Sequence, residues 1–253
     1  MVGGSGKSLI FSSKTQITKG GPCAAFFVGC KHVEPFKKAN KIMAKVQLFL
    51  TTPRLSEAET FAPLLAEAIK AAKISCVLVR LGVRDEGSAK KILKALAPII
   101  QDAGVAMLVE GEPSLAARAN ADGAQISGAG QNLRDAIDSL KPERIVGVCG
   151  LKNKDDAMTA GELDVDYLMF GEPSADGFVQ NIALVTERVK WWAEIFNVPC
   201  VAYAPRLVDV GPLTNAGADF IATGDWLWNA ADGVGATMAK VSATILANMP
   251  VDA

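Results

Sequence analysis

Apolar residues along this chain fall into short, solid runs separated by longer amphipathic stretches, and the two alternate without a break from Val46 onward. The runs at 46–50, 74–81, 105–110, 124–127, 144–149, 167–170, 199–204 and 220–223 predict eight strands. Solid runs this short mark strands buried on both faces, as in a parallel sheet with helical cover. The intervening spacing predicts helices from Ser56, over 87–101, 114–120, 133–140, 154–161, 181–196 and 208–216, and a last one from Trp226 to Met249. Ser56 and Glu59 have the spacing of a capping box. One phrase recurs three times: NADGAQISG at 120–128, LDVDYLMFG at 163–171 and AGADFIATG at 216–224. Each reads as helix end, small residue plus Asp, short strand and closing glycine. In the last copy Gly217 suits a left-handed helix end, and Asp225 suits the cap of the next helix. Eight such strand–helix pairs with right-handed crossovers close into a (βα)₈ TIM barrel, an α/β fold occupying 46–253. A doubly wound sheet would need a Gly-rich first turn, and Thr51-Thr52-Pro53-Arg54 is not one.

Residues 1–45 carry no sustained period and hold eight lysines against one acid, Glu34, in a chain of 253 residues with net charge −1. They read as a flexible basic N-terminal extension. Gly3-Gly4-Ser5-Gly6-Lys7-Ser8 is similar to the end of a phosphate-binding loop but lacks its first glycine and the strand before it. Cys23, Cys30 and His32 are three soft metal ligands without the fourth that a finger needs. Met43 stands just ahead of the first strand and is the expected natural start. The near-neutral charge excludes a broad cationic face for nucleic acid. No apolar run approaches the roughly 18 residues of a membrane span. Five cysteines, three of them (Cys76, Cys149, Cys200) inside predicted strands, fit a reducing cytoplasm rather than a disulfide framework.

A barrel of this kind works at the C-terminal ends of its strands. The junctions there are Thr51-Thr52, the stretch from Arg80 to Arg84, Glu110-Gly111-Glu112, Ser127-Gly128, Cys149-Gly150, Gly171-Glu172, Ala204-Pro205-Arg206 and Gly224-Asp225. The small residues at the later junctions leave backbone N–H groups open to a phosphate. Glu110, Glu112, Glu172 and Asp225 make the mouth acidic, and Arg80, Arg84 and Arg206 are the cations able to neutralise it. Gly-Glu-Pro-Ser occurs at 111–114 and again at 171–174, in both places a sensible turn followed by a helix start. Trp226 and Trp228 serve either packing or ligand stacking. Trp191 and Trp192 on the sixth helix suit the core or a homo-oligomer contact.

The order of elements, the ADGAQISG, DVDYLMFGEP and GADFIATG phrases and RIVGVCG at 144–150 resemble the thiamine-phosphate synthase/TenI family over 46–229. The resemblance implies a TIM barrel that joins a pyrimidine methyl diphosphate to a thiazole phosphate with loss of diphosphate, using Mg²⁺. It implies phosphorylated small-molecule substrates and neither nucleic acid nor membrane as partner. Carried over position by position, it puts Arg80 and Arg84 in the family's diphosphate-binding run on the second strand. Cys149 stands at the family serine after the fifth strand. Gly171, Glu172, Ala204, Gly224, Asp225 and Trp226 line the remaining phosphate and substrate positions. Glu110 takes the place nearest the family's first magnesium aspartate, while Gln131-Asn132 replace the second. The histidine of the tautomerase branch is absent from Leu151-Lys152-Asn153, and the family's Thr-Lys after the sixth strand has no counterpart. The alternative to a synthase is therefore an inactive or retargeted paralogue that binds a small phosphorylated or cationic ligand.

Overall fold

The computed structural model of the chain describes residues 46–174 and 176–249. The expectations for the basic extension 1–45, with Cys23, Cys30, His32 and Met43, lie outside those residues. Strands β1 Gln47–Leu55, β2 Ile74–Leu81, β3 Ala106–Glu110, β4 Gly123–Ser127, β5 Ile145–Cys149, β6 Tyr167–Phe170, β7 Cys200–Ala204 and β8 Phe220–Thr223 pair in parallel in chain order. β1 pairs with β8 and closes the ring into a TIM barrel. The helices between them are α1 Ala62–Ala71, α2 Glu86–Gln101, α3 Pro113–Arg118, α4 Gln131–Leu140, α5 Lys154–Gly161, α6 Ile182–Ile195 and α7 Val210–Asn215, followed by α8 Asp225–Trp228 and α9 Val234–Asn248. One face of each strand packs against the helices in the larger core. The other fills the barrel with Phe49, Leu78, Leu108, Ile145, Tyr167, Met169, Val201 and Phe220. No helix among the described residues is long and apolar enough to cross a membrane.

Three local expectations differ from what is found. β1 does not stop at Thr51-Thr52-Pro53 but runs on to Leu55, with a register shift against β2 between Thr51 and Arg54. Proline cannot donate to a sheet ladder, so the chain absorbs Pro53 as a bulge with one extra residue rather than ending the strand. The Ser56–Glu59 capping box does not form: α1 begins at Ala62, and the Glu59 carboxylate accepts from the Ala58 amide instead. The last helix is interrupted. Its first turn, α8, is separated from α9 by a turn through Gly233, whose φ of 82° suits a residue without Cβ.

The recurring phrase has a clear mechanical meaning. Asn120 (φ 55°) and Gly217 (φ 89°) take the left-handed conformation that ends the preceding helix. The Asp two residues on then clasps the neighbouring strand in both directions. The Asp122 amide donates to Met107 O, and its Oδ2 accepts the Met107 amide at 2.8 Å. Asp166 does the same to Val146, and Asp219 to Cys200. The three clasps tie β4 to β3, β6 to β5 and β8 to β7 at the end of the barrel opposite the site. Asp122 is buried, and its Oδ2 also takes the Gln101 amide. Asp122→Ala should therefore cost about 2–3 kcal/mol, because the Met107 amide is left unpaired in a dry setting. Asp122→Asn should recover much of the loss. Urea denaturation measures both; a loss under about 0.5 kcal/mol for the alanine variant would be that of an ordinary surface change.

Candidate functional site

Counting by twos up each strand places Thr51, Arg80, Glu110, Ser127, Cys149, Gly171, Tyr203 and Gly224 on the inward face at the C-terminal rim. They form the top layer above the apolar filling of the barrel. Arg80, Glu110, Cys149, Gly171 and Gly224 thus sit on one rim; Glu172 and Asp225 follow directly in its loops. Ala204 ends β7 and is fully buried. Arg84 lies farther out, exposed in the loop before α2.

Arg80 is the anchored cation of the rim. Its side chain is only 13% exposed. Its amide donates to Thr52 Oγ1 at 2.9 Å, its Nε to the Thr52 carbonyl, and its Nη2 to Asp225 Oδ1. The bulge at Pro53 makes this possible, because Thr52 there is released from regular pairing with β2. Asp225 does not cap the last helix as the sequence suggests. Gly224 is the cap residue and uses no side chain, while the Asp225 carboxylate, 59% exposed, turns across the mouth to Arg80. A charge-assisted bond to a guanidinium outcompetes a neutral amide for it.

Two other carboxylates of the mouth are also engaged, while Glu112 is exposed at the start of α3 and its side chain makes no cap there. Glu110 pairs with Arg54 at 2.9 Å. Glu172 reaches from the β6 loop to the β5 loop, where Oε1 accepts the Gly150 amide at 2.5 Å. Its Oε2 is buried and has no partner. Burial pushes the Glu172 carboxyl up to about 7, against the opposing pull of the Gly150 amide and Arg188. Cys149 is buried, and burial, with Glu172 and Glu110 nearby, holds its thiol well above the usual range. It is a neutral donor there rather than a nucleophile. Arg206 takes no part in the mouth, since both its Nε and Nη2 donate to the buried Asp209 carboxylate. Trp226 is half-buried and its indole N–H donates to the Ala204 carbonyl, while Trp228 packs edge-on against Phe61. On α6, Trp192 is fully buried and Trp191 packs on it and on Phe196.

Two rim residues escape a reading of the sequence. Arg54 belongs to the unforeseen extension of β1. Tyr203 lies two residues beyond Val201 on the inner face of β7, a signal available in the strand alternation. Burial raises its hydroxyl, Arg80 opposing, and the Asp225 amide bonds to it. A Cβ on Gly224 would stand 1.7 Å from Tyr203 Oη, so glycine is required for the tyrosine to enter the mouth. A cleft of about 420 Å³ lies off the axis over β3 and β4, lined by Gly111, Ser114, Ser127, Asn132, Asp135 and Ser139.

Mg²⁺ wants near-octahedral oxygen ligands, usually with one or two carboxylates free to supply them. Among the described residues no three His, Cys, Asp or Glu side chains converge for a metal ion. Glu110, the carboxylate expected nearest to a magnesium ligand's place, is already paired with Arg54. The described residues do not fit a metal held by the protein.

A family model described as thiamine monophosphate synthase matches residues 48–225. The thiamine-phosphate synthase of Rhodospirillum centenum (strain ATCC 51521 / SW) is 34% identical over 199 residues, 78% of this chain and 96% of the relative. That of Hyphomonas neptunium (strain ATCC 15444) is 29% identical over 209 residues, 79% of this chain and 93% of the relative. Among solved structures, a thiamine phosphate pyrophosphorylase from Pyrococcus furiosus superposes with a TM-score of 0.69 at 20% identity, covering 82% of this chain and 98% of its own.

Proposed function

We propose that in this chain, which belongs to the thiamine monophosphate synthase family, the barrel mouth around Arg80 is where thiamine phosphate is made. The substrates are phosphorylated thiamine precursors, as the family implies, and the family typically uses Mg²⁺. In the family's reaction the bond from the pyrimidine methylene carbon to the diphosphate oxygen breaks first, and its electron pair leaves with the diphosphate. The thiazole nitrogen then donates its lone pair to the carbon cation and forms the new C–N bond. No base is needed. The site must instead stabilise charge gathering on the leaving diphosphate and keep water from the cation.

The observation that carries this reading is the Arg80 guanidinium, held on Thr52 at the rim with its outer face on an exposed carboxylate. We assign Arg80 to the leaving diphosphate, with Arg84 guiding it from outside. Cys149 and the backbone at Gly171, Ala204 and Gly224 complete a cradle for phosphate oxygens. Asp225, released from Arg80 as the diphosphate binds, would face the amino or ring nitrogen of the pyrimidine beside Trp226. No step is assigned to Glu110, whose charge Arg54 neutralises. Free thiols at Cys76, Cys149 and Cys200 suit a cytoplasmic setting.

The test is direct. The purified chain is mixed with hydroxymethylpyrimidine diphosphate, thiazole phosphate and Mg²⁺, and thiamine phosphate and diphosphate are followed together. Equal amounts of both products support the reading; neither, at high protein concentration, removes it. The second reading, a barrel that binds without turnover, is favoured by the unconverged carboxylates of the mouth. Thermal stabilisation by a precursor without product would establish it.

A further inference from the structure

The buried carboxyl of Glu172 is the feature of the mouth that the synthase reading leaves without a task. One of its oxygens is fixed by the Gly150 amide, while the other, Oε2, is shut away from water with no partner. An ionised oxygen in that position would lack any compensating donor, whereas a protonated one is a donor lacking an acceptor. The surroundings agree with the second state. Arg188 of α6 is the cation nearest in effect, but its Nη1 and Nη2 donate to the carbonyls of Leu151 and Lys152 in the β5 loop. The other titratable groups that feel Glu172 are the Cys149 thiol of β5 and the hydroxyls of Tyr167 and Tyr203, all inside the barrel and all neutral. Beside Gly150 the Ser127 hydroxyl comes so close that a Cβ there would lie 2.4 Å from Oγ. The Gly150 backbone, with φ 69°, is thus built for close approach.

We propose that Glu172 is a neutral hydrogen-bond donor for the substrate's anionic group, with Oε1 held on the Gly150 amide and protonated Oε2 donating to a phosphate oxygen at the mouth. A phosphate seated against the carboxyl supplies the acceptor that Oε2 lacks and leaves the Gly150 bond in place. The inference rests on the mouth being a phosphate site, as the synthase reading has it, but not on turnover. A protonated carboxyl stabilises an anion without bringing a competing charge, the same device by which buried acids serve oxyanions elsewhere. The sign follows from linkage. A bound anion makes ionisation of Glu172 harder still, so binding takes up a proton and weakens as pH rises through about 7.

Sulfate is the probe, because its charge is constant between pH 6 and pH 8. Calorimetric titration of the full chain should show its Kd rising about tenfold over that range, following the protonated fraction of Glu172. Glu172→Gln keeps a neutral donor at every pH, so its Kd should stay near the wild-type pH 6 value throughout. Glu172→Ala should bind more weakly than wild type at pH 6. A pH-independent wild type, a Gln variant with the wild-type slope, an Ala variant as tight as wild type, or no sulfate binding at pH 6 would each overturn the proposal. Should the variants fail to fold, wild type titrated at pH 7 in buffers of different ionisation enthalpy decides alone. Uptake of about half a proton per sulfate supports the donor, and none refutes it. If sulfate behaves as expected while no thiamine phosphate forms, only the synthase reading falls.

Discussion

Arg80→Met should lower kcat/KM for thiamine phosphate formation by about 10²–10³, with most of the loss in kcat. The guanidinium sits in a largely enclosed position, 13% exposed, and is pre-aimed by its bonds to Thr52. Charge gathers on the diphosphate only as the carbon–oxygen bond breaks, so the interaction strengthens in the transition state; removing one such donor costs about 3–4 kcal/mol. The variant also leaves the Asp225 carboxylate without its counter-ion, facing the incoming anion. Arg80→Lys should fall between the two, since an ammonium keeps the charge but cannot span Thr52 and Asp225 as the planar fork does. A Met variant within about threefold of wild type would place the leaving group elsewhere. Asp225→Asn provides the control, for it keeps Arg80 while loosening its hold on the carboxylate.

Gly147→Ala should destabilise the barrel by about 3 kcal/mol or more, although it adds only a methyl group. A Cβ at Gly147 would lie 2.0 Å from the ring of Tyr167, and both residues are fully buried inside the barrel. The ring cannot retreat freely, because its hydroxyl donates to Gln125 Oε1 at 2.8 Å in the same dry interior. Overpacking strain is therefore joined by a broken buried hydrogen bond. For a domain of this size the melting temperature should fall by roughly 6–12 °C. Adding Tyr167→Val makes room, and the double variant should be more stable than the sum of the single effects predicts. Strict additivity in thermal denaturation would show that Tyr167 is not what the methyl group meets.

The barrel was legible because buried parallel strands leave solid apolar runs, and β2, β6 and β8 begin and end where those runs do. The three Asp phrases were visible as a repeat, though not as clasps, since a sequence does not say which strand start a carboxylate will reach. Pro53 misled for a physical reason: a missing N–H ends a regular strand but is also what a bulge accommodates. With β1 cut short, Arg54 fell outside the rim. The last helix read as continuous although Asp232-Gly233 is a pair that marks turns, and the break falls there. Least legible was the pairing of the mouth. Arg80 and Asp225 stand 145 residues apart, and only closure of the ring makes them neighbours. Composition shows an acidic mouth with arginines; it does not show that Arg80 and Asp225, or Arg54 and Glu110, are already mates.

Clasps at one end and chemistry at the other give the molecule a division of labour. Asp122, Asp166 and Asp219 brace the floor through bonds that no loop at the rim touches. Substitution in those loops can therefore proceed without loosening the scaffold. A vessel braced from below can be refitted at its rim without being recast.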